Sequence, residues 1–167
     1  MKTFIIGGTG FLGYYTVREL LRKGHQVSTV SLPPMPAPEL LPEGVGITLA
    51  DLNHLSDDEI LGLMAGHDGF IFAAGADDRS IPKRPAYPFF YQANVETTRR
   101  LLRLAKQAGI TRTVIFSSYF ALYDKLHPEW HLAEDHPYIR SRRDQITAAM
   151  QTAGDGLTVS FLMLPYI

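Results

Sequence analysis

The sequence predicts an α/β fold, a doubly wound parallel sheet with helices on both faces, and three observations carry that expectation. Near the start, the apolar run Phe4-Ile5-Ile6 breaks into glycines at Gly7, Gly10 and Gly13 and passes straight into an amphipathic segment. Short strand-like runs then alternate with helix-like runs to the end of the chain, the pattern of consecutive βα units. Phe70 to Ala74 is uninterrupted apolar sequence between Gly69 and Gly75, as expected of a parallel strand covered on both faces. A sheet wound in this way has the strand order 3-2-1-4-5-6.

Each element has its own local reason. Helix one carries Leu12, Val17, Leu20 and Leu21 at helical spacing, with Arg18, Arg22 and Lys23 elsewhere and Gly24 as its stop. Gln26 to Ser31 reads as strand two. The prolines 33, 34, 36, 38 and 42 exclude helix and central strand from the loop that follows. Strand three is expected over 46–50, ending at Asp51. Ser56 with Glu59 three residues on is a capping box that opens a short helix through Met64. Beyond a polar loop holding Asp77, Asp78, Arg79, Lys83 and Arg84, a long helix is expected from about Pro88 to Ala108, stopped by Gly109. Strand five is Thr113 to Ser117, the next long helix spans about Tyr138 to Ala153, and strand six covers Leu157 to Met163.

Composition sets the outer bounds. A chain of 167 residues, 46% of them hydrophobic, is one domain's worth with a real core. Sixteen basic against seventeen acidic residues leave no footprint for nucleic acid or for acidic lipid. The absence of cysteine excludes disulfides, thiolate catalysis and zinc–thiolate sites, and no apolar run approaches the length of a bilayer span. A soluble, cytoplasmic protein is expected.

The glycine turn is the first chemically informative stretch. Gly7 permits a tight turn, Gly10 leaves room for backbone to approach a pyrophosphate, and Gly13 lets the helix sit close on the sheet. The helix that begins there offers unpaired N–H groups to an anion. The same turn can also stand without a ligand. Open α/β sheets bind at the carboxyl ends of their strands, which here are residues 7–13, Ser31, Asp51, 74–76 and 117–119, all small or polar except Phe11, Leu12 and Tyr119.

Taken together, GGTGFLG at 7–13, Asp51-Leu52, Ala73-Ala74-Gly75, Asn94, Phe116-Ser117-Ser118 and Pro137-Tyr138 resemble the extended short-chain dehydrogenase/reductase family, the NAD-dependent epimerase/dehydratase group. The resemblance implies a Rossmann domain over 1–167 and NAD or NADP as cofactor. It implies Gly7, Gly10, Phe11, Leu12 and Gly13 at the pyrophosphate, Ser31 near the adenosine ribose, Asp51 and Leu52 at adenine, and Ala73, Ala74, Gly75 and Ser117 along the ribose and nicotinamide side. Asn94 would order the active-site backbone; as a bare sequence position it reads equally as a helix-surface amide.

The departures from that family pattern define the catalytic candidates. Family members that transfer hydride use a tyrosine, a lysine four residues later, and a serine or threonine after strand five. Here the tyrosine is Tyr138, and arginine, Arg142, stands at the lysine position. A phenol keeps its proton at neutral pH unless positive charge is near, and the spacing of four puts the two side chains on one helix face. Arginine is planar and keeps its proton, so it is no equivalent of an ammonium. The hydroxyl position falls on Tyr119, with Ser118 one residue earlier as the substitute. At the end of strand two, Ser31 is neither the acidic residue that suits NAD nor the arginine that suits NADP.

No metal is expected: His127 and His131 are four apart, but Pro128 makes the segment a loop or a short helical turn. Arg79, Lys83 and Arg84 are either an anion lure or a solvated loop. The chain ends soon after strand six, where extended members continue into a substrate domain, so a fragment is expected, the alternative being a minimal form without the lid. Three readings follow: a reductase, epimerase or dehydratase of a small polar or nucleotide-sugar substrate, with a homodimer through helices 88–108 and 138–153; a non-catalytic dinucleotide-binding regulator; or an interaction domain whose turn binds nothing.

Overall fold

The computed structural model describes residues 1–37 and 39–165. Its elements are β1 (Lys2–Ile6), α1 (Phe11–Arg22), β2 (Gln26–Ser31), β3 (Gly46–Leu49), α2 (Asp57–Met64), β4 (Gly69–Phe72) and α3 (Tyr87–Phe90). There follow a π-helical segment (Tyr91–Glu96), α4 (Thr97–Gln107), β5 (Arg112–Ser118) and α5 (Tyr119–Leu126). The chain then runs through a 3-10 turn (Pro128–Trp130), α6 (Leu132–Asp135), α7 (Pro137–Ala153) and β6 (Thr158–Leu164). The strands join in one sheet in the order β3-β2-β1-β4-β5-β6, the order expected from the sequence. β1 pairs in parallel with β2 and with β4, and β2 pairs in parallel with β3.

The chain divides into two compact units, one of Met1–Ala74 with Leu104–Thr113 and one of Gly75–Arg103 with Val114–Ile167. In the first, Phe4, Ile5, Ile6, Val30, Phe70 and Phe72 are buried, and every residue of β4 is covered, as its unbroken apolar run requires. Strand four is nevertheless shorter than expected. Ala73 and Ala74 leave it at the point where the Gly7 backbone comes close. β3, an edge strand, is correspondingly half-exposed, with Ile47 and Leu49 open to solvent. The capping box forms as read: the Ser56 hydroxyl accepts from the Glu59 N–H and the Glu59 carboxylate accepts from the Ser56 N–H. The prolines 33, 34, 36 and 42 lie in irregular chain; Pro38 lies outside the described residues.

In the second unit the core is built from Phe90, Val95, Leu101, Ile115, Phe116, Ile139, Ala148 and Ala149. The long helix expected over 88–108 begins one residue earlier and is not uniform. Its middle widens to π-helix over Tyr91–Glu96, which carries the buried Asn94 and Val95 and packs on α7. A π segment is a common mark of a functional position and has no simple composition signal. On β6, Leu162 is 46% exposed. No helix among the described residues is long and apolar enough to cross a membrane.

Candidate functional site

In the first unit the glycine turn is held from below by β2. Gly7 sits in the left-handed region at φ +92°, and a Cβ there would lie 2.9 Å from the Ala73 carbonyl oxygen. A Cβ on Gly8 would meet Thr29 Oγ1 at 2.4 Å, and one on Gly13 would meet the Gly7 oxygen at 2.0 Å. The fold itself therefore demands glycine at these three positions. Gly10 is different. Its backbone is ordinary extended chain (φ −73°, ψ 167°), and a Cβ there would meet only the Gly7 oxygen, at 3.4 Å.

The amides of the turn divide accordingly. Gly8 N–H donates to Thr29 Oγ1 at 2.9 Å, and Thr9 N–H donates to Ser31 Oγ at 3.2 Å. Gly10 N–H donates to the Gly7 oxygen. The first hydrogen bond within α1 is Tyr14 N–H to the Gly10 oxygen, and no side chain caps the helix or puts an acid in its first turn. The first-turn amides beginning at Phe11 and Leu12 thus have no acceptor within the helix, and the charge pattern suits a diphosphate. The Phe11 ring, 63% exposed, meets Tyr15, and the Tyr14 hydroxyl accepts from Arg18, so both rings pack among residues of α1.

Ser31, expected near a ribose, is 4% exposed and holds the turn through Thr9. Asp51 is half-buried and turns back on Asn53, accepting from its backbone and side-chain N–H groups at 2.9 Å each. Leu52, Ala73 and Ala74 are half-buried at the ends of the β3 and β4 segments. Thr29, which holds Gly8 of the motif, supports the turn and is a residue that the sequence reading of the site did not include. Its signal was present: Thr29 and Ser31 are hydroxyl residues at every second place of a strand, and so on one face.

In the second unit, Asn94 is fully buried. Its Oδ1 accepts from Ala76 N–H, and its Nδ2 donates to the Ala76 oxygen and to Ser141 Oγ, each at 3.0 Å. It holds backbone, and the surface-amide alternative is overturned by burial. Gly75, at φ +136°, lies against this group, since a Cβ there would be 2.7 Å from Asn94 Oδ1 and 3.5 Å from the Arg142 guanidinium. Tyr138 is half-buried in the first turn of α7, its ring edge-on to Phe90.

The guanidinium carbon of Arg142 lies 5.4 Å from the Tyr138 ring centre, so the spacing of four does bring the pair together. The arginine is 6% exposed and its donors point inward, one to Gln145 Oε1 at 3.1 Å and one to the Ala76 oxygen at 3.2 Å; its Nε has no partner among the described residues. Ser141 donates to the Tyr138 oxygen, Gln145 donates to Thr98 Oγ1, and Thr98 donates to the Asn94 oxygen. Ser141, Gln145 and Thr98 were not foreseen. For Ser141 and Gln145 the available sign was that they are polar residues on the stripe that Ile139, Ala149 and Ala153 make apolar.

Strand five runs one residue further than expected, and its end decides the hydroxyl candidates. Ser118 caps α5 by accepting from Phe120 N–H at 3.2 Å, Tyr119 stacks on Phe120 and meets Tyr123 edge-on, and the buried Ser117 hydroxyl has no partner among the described residues. In the loop after β4, Arg79 pairs with Asp77 and holds that carboxyl below the usual range, while Lys83 and Arg84 are exposed. His127 and His131 flank a 3-10 turn and face Glu129 and Glu134 respectively, and no cluster able to hold a metal occurs among the described residues.

The family model of the NAD dependent epimerase/dehydratase family matches residues 3–165. A 2-alkyl-3-oxoalkanoate reductase of Stenotrophomonas maltophilia is 33% identical over 139 residues, which are 83% of this chain and 40% of that protein. Among solved structures, MoeE5 in complex with UDP-glucuronic acid and NAD superposes with a TM-score of 0.74 at 23% identity, covering 98% of this chain and 54% of that one. A UDP-galactose 4-epimerase gives 0.75 at 18% identity, covering 98% and 55%. These structural likenesses show the fold. The chain spans between 32% and 48% of the length of the curated relatives it matches.

Proposed function

Because the chain belongs to the NAD-dependent epimerase/dehydratase family, we propose that it binds NAD or NADP and serves a hydride transfer on a small polar or nucleotide-sugar-like substrate. The observation that carries this reading is Gly10. Three glycines of the turn are dictated by backbone angle or by a clash, whereas at Gly10 neither applies. A glycine that the fold does not need is accounted for by a ligand that does, and the uncapped start of α1 beside it suits a diphosphate.

When bound, the nicotinamide supplies and accepts the hydride. The chain's own part is to orient it and to move a proton. The amides of Phe11 and Leu12 face the phosphates, Gly7 and Gly13 shape the turn, and Ser31 supports it. Asp51 and Leu52 border adenine, and Ala73 to Gly75 with Ser117 border the ribose and nicotinamide. Tyr138 gives a proton to the substrate oxygen or takes one from it, with Arg142 supplying positive charge beside its ring, and Ser118 or Tyr119 is the neighbouring hydroxyl. The small-molecule substrate, a cytoplasmic setting and a homodimer through the helices near 88–108 and 138–153 belong to the same proposal. Light scattering that finds a single-chain mass removes the dimer.

The test is titration with NADH and NADPH followed by fluorescence, then turnover of wild type and Tyr138→Phe on carbonyl compounds and sugar nucleotides. Binding together with turnover that Tyr138→Phe abolishes supports the enzyme. One observation favours a second reading, a dinucleotide-binding regulator without catalysis: Arg142 and Ser118 are both committed to contacts inside the protein. Binding without turnover by the full-length protein supports that one.

A further inference from the structure

We propose that Gln145 and Thr98 are positioning residues that seat the Arg142 guanidinium on the Ala76 carbonyl, making this arginine a buried clamp on the Gly75–Ala76 backbone. The inference rests on the reading that residues 73–76 border the dinucleotide. Three facts support it. The Ala76 oxygen accepts from both Arg142 and Asn94, at 3.2 and 3.0 Å, while Ala76 N–H returns a bond to Asn94 Oδ1. Gln145 receives Arg142 with its carbonyl and uses its amide to reach Thr98, whose hydroxyl donates to the Asn94 oxygen, so the hydrogen bonds close a ring through Ala76. Every side chain in that ring is more than nine-tenths buried.

The chemistry of the groups makes the arrangement specific. A guanidinium has several donors in one plane and can serve Gln145 and Ala76 together, whereas an ammonium is a compact, strongly hydrated charge on a flexible stem. A glutamine offers an acceptor and a donor at once, which a buried arginine and a buried threonine both require. The guanidinium also lies directly behind Gly75, where a Cβ would be 3.5 Å from it. The cation is thereby held 5.4 Å from the Tyr138 ring centre at its carbon, and the backbone ahead of it is fixed.

The experiment is amide hydrogen exchange over residues 73–79, with 112–118 as the internal reference, together with NADH titration. Gln145→Met keeps the length and loses both hydrogen bonds. It is expected to speed exchange over 73–79 by about tenfold, as the loss of a buried hydrogen bond does, to leave 112–118 unchanged, and to weaken NADH several-fold. Gln145→Glu, which keeps the acceptor for Arg142, restores most of both. Should Gln145→Met fail to fold, Thr98→Val removes only the far link and is expected to give a smaller change in the same segment. Unchanged exchange over 73–79, or an equal rise over 112–118, overturns the clamp. If wild type binds neither NADH nor NADPH, the dinucleotide reading fails, and the exchange result still decides the clamp.

Discussion

His67 shows how a single buried group ties stability to pH. Its Nδ1 meets the Met64 carbonyl, which can only accept, so the proton is on Nδ1 and Nε2 is left to accept from Ser28 Oγ at 2.7 Å. Burial holds the folded imidazole below its ordinary value of 6.5, with Lys2 nearby adding to the effect and Asp68 opposing it. The unfolded chain therefore takes up a proton that the folded chain resists. The contribution is fully present above about pH 6.5 and is lost as pH falls through the folded value. Urea midpoints measured across that range should fall on the acid side in wild type and much less in His67→Gln. At Asn94, replacement by leucine leaves Ala76 N–H buried without its acceptor and should cost about 1–3 kcal/mol in a denaturant titration. Gly13→Ala places a carbon 2.0 Å from a carbonyl oxygen and should cost at least about 1–3 kcal/mol by the same measurement. The glycines of the turn were legible from spacing alone. What Ser31 and Ser118 do was not, because a hydroxyl at a strand end can face a ligand or cap its neighbours, and only the contacts to Thr9 and Phe120 decide.

Among the helices, α2 is the one whose start was marked in the sequence by a side-chain cap. Its capping box is local chemistry, complete within four positions, and Ser56→Ala should lower stability by about 1 kcal/mol with a matching fall in the melting temperature. The long helix over 87–107 is the contrasting case. Its apolar spacing and terminal Gly109 were visible, but the π-helical turn around Asn94 depends on partners at Ala76 and Ser141, far away in sequence. Strand ends moved by one or two residues for a related reason. Ala73 leaves β4 where the Gly7 backbone comes close, and β5 continues to Ser118, which caps the next helix. On α7 the four-residue spacing correctly placed Arg142 beside Tyr138, yet the direction of the guanidinium followed from Gln145, which no motif marks.

For the whole molecule, the strand order was legible because alternating strands and helices with right-handed connections leave few arrangements, and all six strands take the expected places. The family followed from the same residues, and its model covers nearly the whole chain. The central claim is narrower: the turn after β1 is shaped for a dinucleotide diphosphate, and Gly10 is the residue reserved for it. Gly10→Ala isolates that claim, since the added carbon meets no backbone strain and only one contact, at 3.4 Å. Unfolding free energy and NADH and NADPH affinity should be measured on wild type and on this variant. The account predicts a stability change under about 1 kcal/mol with at least about a tenfold loss of affinity; undiminished binding by Gly10→Ala, or no binding by wild type, contradicts it.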